Sequence, residues 1–121
     1  MSKILVVEDN PDIGELLRDA LVKEGFETIV CKDAYQGIEF ARTQKPDLIL
    51  LDLMLPAGGG FSVLKFVKIS VFTQHIPVIV LTASKDPEDK KKALQMGVTA
   101  YVEKPYDSKE LVTMIRGFLK K

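Results

Sequence analysis

Four places along this chain of 121 residues carry side chains able to do chemistry together: Glu8-Asp9, Asp52, Thr82 and Lys104. Each stands at the end of a short apolar run, at Ile4–Val7, Leu48–Leu51, Val78–Leu81 and Ala100–Val102 respectively. Three carboxylates and one amine suit charge chemistry. Two like charges about 4 Å apart repel by roughly 4 kcal/mol at an effective dielectric of about 20. A cluster of three would therefore strain a domain whose whole stability is on the order of 5–15 kcal/mol. Lys104 neutralises part of that charge, and a hard divalent ion is the natural remainder. Mg2+ takes one or two carboxylates, several waters and a phosphate oxygen. A carboxylate beside such an ion can attack phosphorus, with the ion shielding the nucleophile and the transferring group.

That chemistry requires the strand ends to converge. The runs at 4–7, 48–51 and 78–81 lack polar alternation, as strands covered on both faces of a parallel sheet do. A further run, Phe26–Cys31, completes a set of five. Helical spacing lies between them. Ile13, Leu16, Leu17, Ala20 and Leu21 recur on one face of the first helix, and Leu111, Met114, Ile115, Phe118 and Leu119 on one face of the last. Asn10-Pro11 and Asp86-Pro87 set a capping side chain before a proline at the first helical position. Asp107 with Glu110 resembles a capping box, and Gly25 and Gly97 fall where the first and fourth helices should stop. The reading is an α/β domain of five strand–helix units, doubly wound with right-handed crossovers. In such a sheet all strand carboxyl ends share one edge, where open α/β folds bind ligands.

Composition bounds the function. Hydrophobic residues make up 46% of the chain, enough for one core, and 17 basic residues balance 17 acidic ones. A neutral domain has no general pull toward nucleic acid or acidic membranes, so neither is expected as a partner. Cys31 is the sole cysteine. It cannot form an internal disulfide, which suits a reducing cytoplasm. No stretch is long and apolar enough for a signal peptide or a membrane span. Cys31 is expected in the core, His75 in a surface loop, and Lys90, Lys91 and Lys92 on a solvated helix face.

The set Glu8-Asp9, Asp52, Thr82-Ala83 and Lys104-Pro105 resembles the receiver domain of two-component response regulators. So do the run Asp52-Leu53-Met54-Leu55-Pro56 and Gly60, eight residues after the aspartate. The likeness, closest to the stand-alone chemotaxis type, runs from Lys3 to Lys120. It implies a flavodoxin-like five-stranded parallel sheet of order 2-1-3-4-5. It also implies a phosphorylation-dependent switch, a signalling protein rather than an enzyme acting on other substrates, filling residues 1–121 with no attached output domain. Asp52 would accept the phosphoryl group from a histidine kinase or a histidine phosphotransfer protein. Asp9, Asp52 and the Met54 main-chain carbonyl would ligate Mg2+, with Glu8 acting through water. Lys104 would pair with the phosphoryl group, Thr82 would move to hydrogen-bond it, and Tyr101 would swing inward. Ala83 leaves the group room, and Lys104-Pro105 is expected cis. Signals would pass to a downstream protein target through roughly Asp86–Lys120.

Other readings exist for the same residues. Asp52 alone fits a turn carboxylate, Glu8-Asp9 a helix cap, Lys104 a solvated lysine, and Thr82 and Tyr101 ordinary strand residues. A phosphatase of the haloacid dehalogenase type wants a second acid two residues after its aspartate, where this chain has Met54. A flavodoxin-like cofactor carrier wants a phosphate-binding loop after the first strand, where Glu8-Asp9 would repel phosphate. A phosphate-independent pseudo-receiver usually lacks one of the acids or the lysine, and all are present. One departure stands out. On a third helix over 60–70, Phe66 and Ile69 point away from the apolar face, and Val71 and Phe72 follow where a polar loop is expected. Either that loop folds back over them, or they form an apolar contact patch for a partner or for self-association.

Overall fold

The computed structural model describes residues 1–120. Five strands alternate with five helices: β1 Lys3–Val7, α1 Pro11–Lys23, β2 Glu27–Cys31, α2 Ala34–Thr43, β3 Leu48–Leu51, α3 Gly59–Ile69, β4 Val78–Thr82, α4 Pro87–Gln95, β5 Ala100–Glu103 and α5 Ser108–Leu119. All neighbouring strands pair parallel, in the order β2-β1-β3-β4-β5. This is the flavodoxin-like order implied by the sequence resemblance.

Alternation along each strand divides the core into two layers. Leu5, Val7, Ile49, Leu51, Val78 and Val80 face α2, α3 and α4, where Ala41, Val63, Leu64, Val67 and Ala93 meet them. Ile4, Val6, Leu48, Leu50, Ile79 and Leu81 face α1 and α5, meeting Leu17, Leu21, Leu111, Val112 and Ile115. The three central strands β1, β3 and β4 are thus apolar on both faces, which explains their unbroken runs in the sequence, whereas the edge strands β2 and β5 are only partly buried. Burying one such Leu or Ile contributes on the order of 2 kcal/mol.

Helix ends follow their caps. Asn10 Oδ1 accepts from the amides of Asp12 and Ile13, Asp33 caps α2, Asp86 caps α4, and Asp107 accepts from Lys109 and Glu110. Gly25 and Gly97 have φ of 93° and 92° just past α1 and α4, a conformation side chains disfavour. One expectation fails. Leu16, assigned to the apolar face of α1, is 70% exposed, while Leu17 and Leu21 carry the packing on that helix. The apolar arc is wider than the strip of helix the sheet covers.

Cys31 is buried at the end of β2. Burial, then the Asp33 charge, pushes its thiol up to about 12. The thiol is therefore protonated at neutral pH and inert in the native state. Labelling of Cys31 by a thiol reagent at pH 8 is expected to be slow without denaturant and to appear together with the urea unfolding transition.

Candidate functional site

Parallel register brings the functional groups together. Val7 pairs with Leu51, and the Asp52 amide donates to the Val7 carbonyl at 3.1 Å, so Glu8 and Asp52 emerge side by side. On the other flank Thr82 pairs with Glu103, and the Lys104 amide donates to the Thr82 carbonyl at 2.8 Å. Lys104 is thereby aimed across the sheet edge. Its Nζ donates to Glu8 Oε1 at 2.9 Å and to Asp52 Oδ2 at 3.3 Å. Both acids are buried, at 4% and 6% exposure, while Asp9 is exposed above them.

The backbone completes this arrangement. The Met54 amide donates to Asp52 Oδ1 at 2.9 Å, and the Asn10 amide to Glu8 Oε2 at 3.1 Å. The turn after Asp52 is held from below by Gly60. A Cβ there would stand 2.4 Å from Leu53 Cα and 2.7 Å from the Asp52 carbonyl oxygen. Only glycine admits that approach, which is why position 60, eight residues after Asp52, carries one. Between them, Pro56–Gly58 form a single 3-10 turn with Ala57 at φ 57°.

Charge is unbalanced in this pocket. Glu8, Asp9 and Asp52 each place one carboxylate oxygen within 4.8 Å of the others, against one ammonium. Burial pushes the Glu8 carboxyl above its ordinary value, with the Lys104 and Asn10 hydrogen bonds only partly offsetting it. For Lys104, burial alone would lower the ammonium. The Glu8 hydrogen bond and the Asp52 charge outweigh it, and the net direction is upward. The two shifts favour opposite charge states of the pair. The short contact and the second acid decide it: Lys104 is an ammonium, bridging two carboxylates. The donor set is all oxygen, from separate strand ends and open to solvent at Asp9, and it fits a hard divalent cation.

Each expected site residue therefore lies at this edge, with differences of detail. Glu8 is a buried partner of Lys104 rather than merely an outlying acid, and Asn10, not Glu8 or Asp9, caps α1. Among the described residues Asp9 makes no side-chain hydrogen bond or ion pair. Thr82 is fully buried, and its hydroxyl accepts from the Ser84 amide at 3.2 Å. Tyr101 already lies partly inside, packed against the core beside α4, with a buried hydroxyl that has no hydrogen-bond partner among the described residues. The Lys104-Pro105 bond is cis. Two links escaped the sequence reading. Ser84 Oγ donates to Asp89 Oδ2 at 2.6 Å, tying the β4–α4 loop to α4, and Lys85 Nζ reaches Glu103 Oε1 at 3.2 Å and the Lys104 carbonyl at 2.9 Å. Neither spacing carries a motif.

A family model described as the response regulator receiver domain matches residues 4–116. The chain belongs to that family. Among curated relatives, it is 38% identical over 119 residues to the phosphate regulon transcriptional regulatory protein PhoB of Escherichia coli, covering 98% of this chain and 52% of that protein. It is 40% identical over 119 residues to the DNA-binding response regulator MtrA of Mycolicibacterium smegmatis, covering 98% of this chain and 51% of the relative. This receiver thus spans about half the length of the curated relatives it matches. The receiver domain of a Pseudomonas aeruginosa sensor histidine kinase, solved with a magnesium ion in its active-site cleft, superposes with a TM-score of 0.90 at 29% identity, covering 99% of this chain and 98% of that one. The chemotaxis response regulator CheY4 of Vibrio cholerae gives 0.88 at 26% identity, covering 97% and 98%. Two of these relatives are named for transcription or DNA binding, so the expectation that nucleic acid is no partner rests on this receiver's neutral charge alone. No helix among the described residues is long and apolar enough to cross a membrane.

Excess negative charge in the pocket gives a direct test. Asp9→Asn is expected to raise stability by roughly 1 kcal/mol in chelator-treated protein, by removing one of three mutually repelling carboxylates in a largely solvated setting. Urea denaturation checks this. Added Mg2+ should raise the melting temperature of the wild type markedly more than that of the variant.

Proposed function

We propose that this receiver is a phosphorylation-driven switch in which Asp52 accepts a phosphoryl group from a histidine kinase or a histidine phosphotransfer protein. The observation that carries this reading is the Lys104 ammonium held between Glu8 and Asp52, with Asp9 alongside. A turn carboxylate has no need of a buried acid and a lysine from two strands away.

The chemistry follows from the groups present. An Asp52 carboxylate oxygen forms a bond to phosphorus while the donor's phosphorus–nitrogen bond breaks, and the electron pair leaves with the imidazole. The Met54 amide fixes the rotation of the nucleophile through Oδ1. Asp9, Asp52 and the Met54 main-chain carbonyl would hold Mg2+, with Glu8 acting through water. When bound, the ion supplies positive charge that shields the attacking oxygen and the transferring group. Lys104 then pairs with a phosphoryl oxygen, and its hold on Glu8 weakens. Ala83, exposed beside the pocket, leaves room for the group.

The added group brings about −1.5 to −2 charge. The Thr82 hydroxyl, which accepts from the Ser84 amide and keeps its own proton free to donate, turns toward the group, and that movement draws on the β4–α4 loop and, through Asp89, on α4. Tyr101 packs further into the space this opens, where its unpaired hydroxyl gains partners. The equilibrium between two arrangements of Asp86–Lys120 shifts, and a downstream protein target reads that surface. The cytoplasm is the compartment in which we place this exchange.

Intact mass after incubation with acetyl phosphate and Mg2+ tests the proposal. One phosphoryl group is expected on the wild type, none on Asp52→Ala, and markedly less without Mg2+. A wild type that stays unmodified would make this a phosphate-independent pseudo-receiver. Phosphoryl lifetime supplies a second test. Met54 is 55% exposed beside Asp52 and obstructs attacking water. Met54→Asn is expected to lose its phosphoryl group several-fold faster, and equal decay rates would refute the obstruction.

A further inference from the structure

At the opposite end of the sheet, the chain displays apolar side chains on a rigid turn. Ile69, Val71 and Phe72 are 69%, 72% and 78% exposed, whereas Phe66 is half-buried. The segment after α3 does not fold back over these three, while Phe66, expected with them, is partly covered. The turn itself is well anchored. Thr73 is buried with its hydroxyl donating to the Val67 carbonyl at 2.8 Å. The Gln74 amide donates to the Ser70 carbonyl at 2.8 Å, the Phe72 amide to Ser70 Oγ at 3.3 Å, and the Ile76 amide to the Thr73 carbonyl at 2.9 Å. Phe72 is thus presented at little cost in conformational entropy on binding.

Beside it lies a groove of about 490 Å³, walled by Phe72 and Ile76 on the turn before β4 and by Lys45, Pro46 and Asp47 on the turn before β3. Arg42 and His75 complete the lining, Arg42 being paired with Glu39 at 2.8 Å, and the groove carries both signs of charge. Lys45 has no ion pair among the described residues. Asp47 Oδ2 accepts the Lys3 main-chain amide at 2.7 Å, leaving its other oxygen without a partner among the described residues. An anionic peptide or lipid surface would meet Asp47, and a cationic one would meet Lys45.

We infer that this face binds a second copy of the chain, by two-fold symmetric pairing. A two-fold axis sets Phe72 of each copy against the groove of the other, and each Asp47 against the opposing Lys45. Charge complementarity is built in, because one surface supplies both partners of each pair. The 17 basic and 17 acidic residues leave no net charge to oppose approach. The contact is small and the dimer weak, with dissociation in the range of about 10 μM to 1 mM. It lies away from Asp52 and leaves Asp86–Lys120 free, so it forms without phosphorylation.

Sedimentation equilibrium of the full chain up to about 1 mM tests the pairing. A monomer–dimer equilibrium is expected, unchanged in Asp52→Ala. Phe72→Ser is expected to weaken it about tenfold or more. Lys45→Glu should weaken it as well, and the double variant Lys45→Glu, Asp47→Lys should restore it, a recovery that mere misfolding cannot produce. Circular dichroism verifies that each variant keeps its secondary structure. A chain monomeric throughout, a dimer indifferent to both Phe72→Ser and Lys45→Glu, or a monomer that instead sediments with anionic phospholipid vesicles in a Phe72-dependent way would each overturn the inference.

Discussion

One ammonium between two buried carboxylates holds this molecule's chemistry in place. Lys104 reaches Glu8 at 2.9 Å and Asp52 at 3.3 Å, and without it the C-terminal edge of the sheet would gather acids with no internal counter-charge. Removing one partner of a buried pair commonly costs about 3–5 kcal/mol, because the other is left uncompensated. The pair does not satisfy the pocket, however. Asp9 makes no ion pair among the described residues, so the edge keeps an excess of negative charge. The proposed binding of a cation and of a phosphoryl group rests on that incomplete neutralisation.

The scaffold makes such an arrangement robust. Pairing of Val7 with Leu51 and of Thr82 with Glu103 depends on main-chain hydrogen bonds and on two apolar layers, not on the functional groups themselves. Substituting an acid therefore alters the site without dissolving the sheet. Gly60 is the point where scaffold and site touch most closely, since its missing side chain lets α3 lie directly under the turn that follows Asp52. Thr82 connects outward in turn, through Ser84 and Asp89 to α4. A displacement of Thr82 therefore has a hydrogen-bonded route through Ser84 and Asp89 to α4.

Much of this was legible in the sequence, and for specific reasons. Strands buried on both faces leave unbroken apolar runs, and caps such as Asn10 and Asp107 mark helix starts through local hydrogen bonds. Parallel topology then obliges residues after the strands to share an edge, which located Glu8, Asp9, Asp52, Thr82 and Lys104 together. What escaped depends on distances between elements. Periodicity placed Leu16 with Leu17 and Leu21, but the width of the covered strip on α1 is set by the packing of whole layers. The turning of Tyr101 toward the core, the Ser84–Asp89 bond and the full burial of Glu8 depend on side-chain packing that no spacing encodes. Helical angles set Phe66 and Ile69 apart from the packed face, yet only the path of the turn at Thr73 left Ile69 bare and Phe66 half covered.

The Glu8–Lys104 contact spans 96 positions of the chain, which has a consequence for synthesis and assembly. The acids are made first, and the lysine comes only with the last strand. A chain that has formed β1 and β3 but not β5 has no Lys104 ammonium beside Glu8 and Asp52. Closing so long a loop is also entropically expensive and tends to come late. The counter-charge to the two buried acids thus arrives only when the last strand joins the sheet.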